Sequence, residues 1–201
     1  MVPIRSPFFN FVNMACDLTM GRTEPCKESV GGIDAIYFVD FGALGEPTIG
    51  TDDEITDFDG TFDYYKYDVK SSATTYEEAI NSSRDNGTTF FTQTVNLTLK
   101  KLTKKMHKEL KLIAFGRPHV IIEDRNGNAF VAGLNRGCEV TGGSVVTGGA
   151  MGDLSGYTLT LEGQEELPAN FLEGAIAGDP FAGVSAGNAE NGTQTDPSAP
   201  A

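Results

Sequence analysis

The sequence predicts a mainly β fold, a β-sandwich or barrel with a long β-hairpin and one flanking α-helix, and three observations lead there. The first is a pair of long runs between Thr75 and Lys101 in which polar and apolar residues alternate about a hinge at Asp85, Asn86 and Gly87. In the second run Phe91, Val95, Leu97 and Leu99 share one face while Thr92, Thr94, Asn96, Thr98 and Lys100 share the other, the period of a half-buried strand. The Asp-Asn-Gly hinge supplies the positive backbone angles that tight hairpin turns require. The second observation is the turn content, 24 glycines and 9 prolines in 201 residues, enough chain for one β-rich domain with a real core. The third is that helical spacing occurs convincingly in one place, where Met106, Leu110 and Ile113 follow Thr103, a suitable N-cap.

The elements follow in order. Residues 1–17 read as an N-terminal arm with apolar anchors at Phe8, Phe9 and Phe11, and residues 21–32 as a turn-rich connection. Asp34 to Val39 is a short apolar run with glycine upstream and downstream, hence a buried strand. Phe41 to Gly60 reads as an acidic loop, Phe62 to Val69 as an aromatic-rich strand with Tyr65, Tyr67 and Val69 on one face. The hairpin comes next. The 14 residues from Thr88 to Lys101 would extend to roughly 45 Å at about 3.3 Å per residue, far beyond an ordinary strand of about 5 to 6 residues. A ribbon of that length with one wholly polar face suits strands that join between subunits. After the helix, Val120 to Ile122 and Ala129 to Leu134 form a strand pair about Asn126, Gly127 and Asn128. Val140 to Gly156 is glycine-dense and reads as a mobile or interface loop, and Tyr157 to Leu161 as a cleanly alternating strand. The β-rich domain spans 18–178, and residues 179–201 form a flexible tail, with Gly183 to Ala201 the most clearly so.

Charge narrows the function. The net charge is −13, from 28 acidic and 15 basic residues, so the chain as a whole repels nucleic acid rather than gripping it. The charge is segregated. Asp52, Asp53, Glu54, Asp57, Asp59 and Asp63 crowd one segment, whereas Lys100, Lys101, Lys104, Lys105, Lys108, Lys111 and Arg117 crowd another against the single acid Glu109. These are either two solvated surfaces or, if they lie at opposite ends of the subunit, complementary faces that let copies stack head to tail. On this reading Asp52, Asp53, Asp57, Lys104, Lys105 and Lys108 join Phe8, Phe9 and Phe11 as inter-subunit candidates. No apolar stretch approaches the roughly 20 residues of a membrane-spanning helix, and no export signal or membrane anchor is expected.

Motifs for chemistry are sparse. Cys16, Cys26 and Cys138 are an odd number, expected in a reducing compartment, with Cys16 and Cys26 read as small core residues. Neither His107 nor His119 has zinc spacing to a cysteine, the acidic segment lacks the ordered ligand and glycine pattern of a calcium loop, and Gly142, Gly143, Gly148 and Gly149 lack the lysine of a phosphate loop. No cofactor, metal or catalytic residue is expected; His119 beside Arg117 is the best seed for an enzyme.

The order of a Phe-rich arm, the Ala15-Cys16-Asp17-Leu18-Thr19-Met20-Gly21-Arg22 segment, the hairpin strand ending in Thr94 to Leu99, the Gly116-Arg117-Pro118-His119 junction and the Asp153-Leu154-Ser155-Gly156-Tyr157 run resembles the tail tube proteins of tailed bacteriophages. The resemblance spans roughly Phe8 to Leu172. It implies a β-sandwich or barrel subunit flanked by a helix, assembled into stacked hexameric rings whose joined hairpins line a channel for double-stranded DNA. On that implication Thr92, Thr94, Asn96 and Thr98 face the channel, other virion tail proteins are partners, and the protein resides in the virion tail after assembly in the host cytoplasm. Tail terminator, ring and head-decorating proteins are the alternative structural roles.

Overall fold

The computed structural model describes residues 20–184 and the backbone of 189–191. Its architecture follows from which strands bury one face and which bury two. β1 (Ile33–Val39) and β7 (His119–Asp124) are buried along nearly their whole length because both of their faces are covered; β1 is an almost wholly apolar run, and β7 carries Val120, Ile121 and Ile122. They pair antiparallel at the centre of a five-stranded sheet, flanked by β4 (Phe62–Asp68) on one side and β8 (Ala129–Ala132) on the other. β11 (Ala189–Asn191) adds a short parallel strand on the outer edge of β4.

The alternating strands build a second sheet in the order β5 (Thr75–Ser83), β6 (Thr88–Lys100), β10 (Gly156–Glu165), β9 (Glu139–Val146), all antiparallel. The sequence hairpin is β5–β6, turning through residues 84–87 with Gly87 at φ 63°. Val95 and Leu97 are 0 % and 1 % exposed, so the apolar parity does face the core. They meet Leu159 and Leu161 of β10 and, from the other sheet, Ile36, Phe38, Val120 and Ile122, a sandwich core between two sheets. On the far face of the five-stranded sheet, Tyr37, Val39, Ile121 and Val131 pack under Leu44, Ile55, Phe58, Leu172, Phe181 and Val184. Three layers result, with the five-stranded sheet in the middle.

α1 (Lys104–Phe115) starts at Thr103, whose hydroxyl accepts the Met106 amide at 3.2 Å, as the N-cap requires. Leu110 and Ile113 lean on the edge of the sandwich core, but no residue of the helix is fully buried.

Several expectations change. Residues 41–60 are not simply a loop: β2 (Pro47–Ile49) and β3 (Ile55–Phe58) form a separate two-stranded hairpin, anchored by Ile55 and Phe58. The first part of the glycine-dense stretch after Val140 is strand, β9 running to Val146, and residues 147–155, with Gly148 and Gly149, form the loop. Gly143 sits at φ 156°, where a Cβ would lie 2.4 Å from the Thr158 carbonyl, so glycine allows β9 to pass a bulge against β10. The ordered body runs past Gly178, because Phe181 and Val184 fill the outer core. Cys26 is exposed rather than in the core, whereas Cys138 is buried and its thiol is pushed up to about 12 by burial, then by Glu165. The arm with Phe8, Phe9, Phe11 and Cys16 lies outside the described residues.

Candidate functional site

The outer face of the four-stranded sheet is an ordered, mainly polar surface. Its rows are fixed by register. Thr75, Asn96 and Thr160 stand side by side on β5, β6 and β10; Glu77, Thr94, Glu162 and Glu139 form the next row, on β5, β6, β10 and β9; Thr98, Thr158 and Ser144 form a third. Hydroxyls and amides bridge the strands. Asn96 Nδ2 donates to Thr75 Oγ1 at 3.3 Å, Thr160 Oγ1 to Asn96 Oδ1 at 3.0 Å, and Asn81 Nδ2 to Thr92 Oγ1 at 2.9 Å. Ser144 and Thr158 hydroxyls lie 2.9 Å apart. Such cross-strand pairs help hold the strands in register.

The charge on this face is acidic. Between Thr98 and Thr92 its ionisable groups among the described residues are Glu77, Glu139 and Glu162, and Lys100 stands at the end of β6. Thr92, Thr94, Asn96 and Thr98 therefore share one half-buried polar surface. Whichever surface apposes this one meets hydroxyls, amides and carboxylates.

Both edges of the sheet are unpaired among the described residues. β5 hydrogen-bonds only to β6, and β9 only to β10. Beyond Phe91, where β10 ends, the hairpin continues as two strands alone, and Ile80, opposite Phe91 on the edge strand, is 69 % exposed. An exposed edge with apolar side chains is a template for another strand.

The two charged segments fall on different layers. Asp52 and Asp53 lie in the exposed β2–β3 turn and Asp57 on β3, over the outer core; Lys104, Lys105 and Lys108 line exposed α1, beside the inner core. The five-stranded sheet stands between them. Among the described residues the ion pairs are Lys66–Asp68 and Arg136–Glu166, so neither segment is neutralised within the subunit.

His119 is a structural group. The Gly42 amide donates to its Nε2 at 2.9 Å, which leaves Nδ1 protonated and donating to the Gly133 carbonyl at 2.7 Å. Phe41 stacks on the imidazole at 5.2 Å and Arg117 caps Phe41 at 3.8 Å. Both ring nitrogens are thus occupied, and burial, with Arg117 nearby, lowers the His119 pKa against the opposing Gly133 hydrogen bond. Tyr37, buried and bonded to Glu123, is raised well above the ordinary phenol value by that burial first and by Glu123 second.

Gln93 is the polar residue that alternation alone overlooked. It lies on the apolar parity between Phe91 and Val95, 1 % exposed, accepting from the Gly133 amide and donating to Glu78. Its position in the pattern was the available signal. It borders a cavity of about 40 Å³ with Asn135, Glu165 and Asn170, far below the roughly 300 Å³ of ligand pockets. Glu165 accepts both the Asn135 and Arg136 amides there through Oε1.

Comparison of the chain with known protein families, with curated proteins and with solved structures finds no match.

Proposed function

We propose that this protein is a structural virion subunit that polymerises into a phage tail tube, six copies to a ring, and forms the channel through which DNA is delivered. One observation carries the reading: a four-stranded sheet with one face sealed on a core, the other mainly polar with acidic charge at its centre, and two edges unpaired among the described residues. Joining β9 of one copy to β5 of the next satisfies both edges and closes a ring, which removes the hazard that exposed edges otherwise bring. Four strands from each of six copies, spaced about 4.8 Å apart, give a circumference near 115 Å and a diameter of about 37 Å, larger once strands tilt. DNA passes freely along a wall of hydroxyls and carboxylates, whereas a lysine-lined wall would hold its phosphates.

Negative-stain microscopy of the purified full chain tests the reading. Stacked rings with a central channel support it. Isolated rings favour a terminator or other ring protein, and monomers that never assemble overturn both.

A further inference from the structure

α1 has two apolar stripes, and only one is used by its own subunit. At about 100° per residue, Met106, Leu110 and Ile113 lie together on the side that meets the sandwich core. Leu112 and Phe115 lie on the opposite side, 61 % and 93 % exposed, among Lys104, Lys105, Lys108 and Lys111. Large apolar groups ringed by cations that form no ion pair among the described residues are an unusual solvent face for a helix, whose outer side is normally polar throughout.

The β2–β3 hairpin offers the complementary surface. Its outward face carries Thr48 opposite Asp57, and its turn exposes Thr51, Asp52 and Asp53, while Ile49, opposite the buried Ile55, reaches solvent only at the rim. The five-stranded sheet separates this hairpin from α1, so the two cannot pair within one subunit. We infer that α1 of one copy docks through Leu112 and Phe115 onto the β2–β3 hairpin of a second copy, with the lysines facing its aspartates. Two α1 helices packed on each other would instead bring eight lysines together, counting four from each copy. A contact between different surfaces repeats indefinitely, so this one is the joint along the axis of the polymer, distinct from edge pairing within a ring. It rests on the tube reading for that axial role, but not for its existence.

Cysteine pairing tests it. In a full-length background with Cys16→Ser and Cys26→Ser, one preparation carries Leu112→Cys and a second Thr51→Cys; Cys138 stays buried. At low salt with copper phenanthroline, the equimolar mixture gives a covalent dimer that neither preparation forms alone, and 1 M salt, which cuts the Debye length from about 10 Å to about 3 Å, suppresses it. Phe115→Cys with Thr48→Cys repeats the measurement one turn away. No dimer from either mixture, or a dimer from Leu112→Cys alone, overturns the contact. Leu112→Ser with Phe115→Ser gives the independent readout, since neither side chain supports the fold: loss of elongation by light scattering is expected, and growth at the parent rate overturns the inference. Tubes that form without the cross-link leave the tube reading standing and remove this contact. A cross-link in a protein that forms no tubes does the reverse.

Discussion

His119 ties three pieces of chain together through a neutral imidazole: the Gly42 turn, the Gly133 turn and its own strand β7. Protonation would turn Nε2 into a donor facing the Gly42 amide, two donors with no acceptor. Because the folded pKa lies below the unfolded value of about 6.5, the unfolded chain binds the proton first as pH falls. The contribution is therefore complete above about pH 6.5 and is lost below it, by up to about 1.4 kcal/mol per pH unit. Urea unfolding at pH 7.5 and 5.5 should show that slope in the parent and not in His119→Gln, whose amide keeps a donor and an acceptor. A second pair of substitutions reads the hairpin. Leu97→Asp places a carboxylate among Val95, Leu159 and Leu161, at a cost of several kcal/mol, and should yield insoluble or unfolded protein. Thr94→Asp, on the polar face beside Glu77 and Glu162, should remain folded by circular dichroism. Equal behaviour of the two variants would contradict the assigned parity. This parity was legible in the sequence because Val95 and Leu97 alternate with threonine and asparagine. The role of Gln93 was not, because the register of Gly133 and Glu78 against β6 is tertiary information.

At the level of elements, legibility followed length and contrast. The hairpin, α1 and β10 were readable since each carries its period over several repeats. β2 and β3 have 3 and 4 residues and the acidic composition of a loop, so what makes them strands is Ile55 and Phe58 reaching the outer core. β9 was hidden for a different reason, since Gly142 and Gly143 signal a turn locally, but Gly143 here permits close approach of β10. Replacing Gly143 with valine should unpair β9 from β10, lowering stability and closing off the β9 edge; a variant that assembles like the parent would show that this edge takes no part. Thr103→Ala should cost about 1 kcal/mol, measured by denaturant unfolding, because the Met106 amide loses its acceptor.

For the whole molecule, the segregated charge sets the assembly conditions. Reversing Lys104, Lys105 and Lys108 to Glu should block elongation without changing the circular dichroism of the subunit, and a copy carrying Asp52, Asp53 and Asp57 as Lys should restore mixed assembly in part. Normal elongation of the lysine reversal at low salt would mean that these segments are solvated surface only. The acidic row gives a separate test of the channel wall. Tubes carrying Glu77→Lys and Glu162→Lys should retain duplex DNA in a sedimentation assay that parent tubes fail, and equal retention would argue that the polar face lies elsewhere.

The middle sheet also imposes an order of events during synthesis. β1 pairs with β4 and β7, so Val39 awaits Tyr64 on one side and His119 on the other, and neither pairing is local. β5 and β6 need only each other, joined by the short turn at residues 84–87. Local pairing precedes distant pairing when chain closure limits the rate. The hairpin thus forms while Val95 and Leu97 still lack the sheet that will cover them, and a newborn chain carries a sticky ribbon until β7 leaves the ribosome. Crowded polysomes bring such ribbons together, so the yield of soluble subunit should rise when translation is slow and spaced, and fall when it is fast.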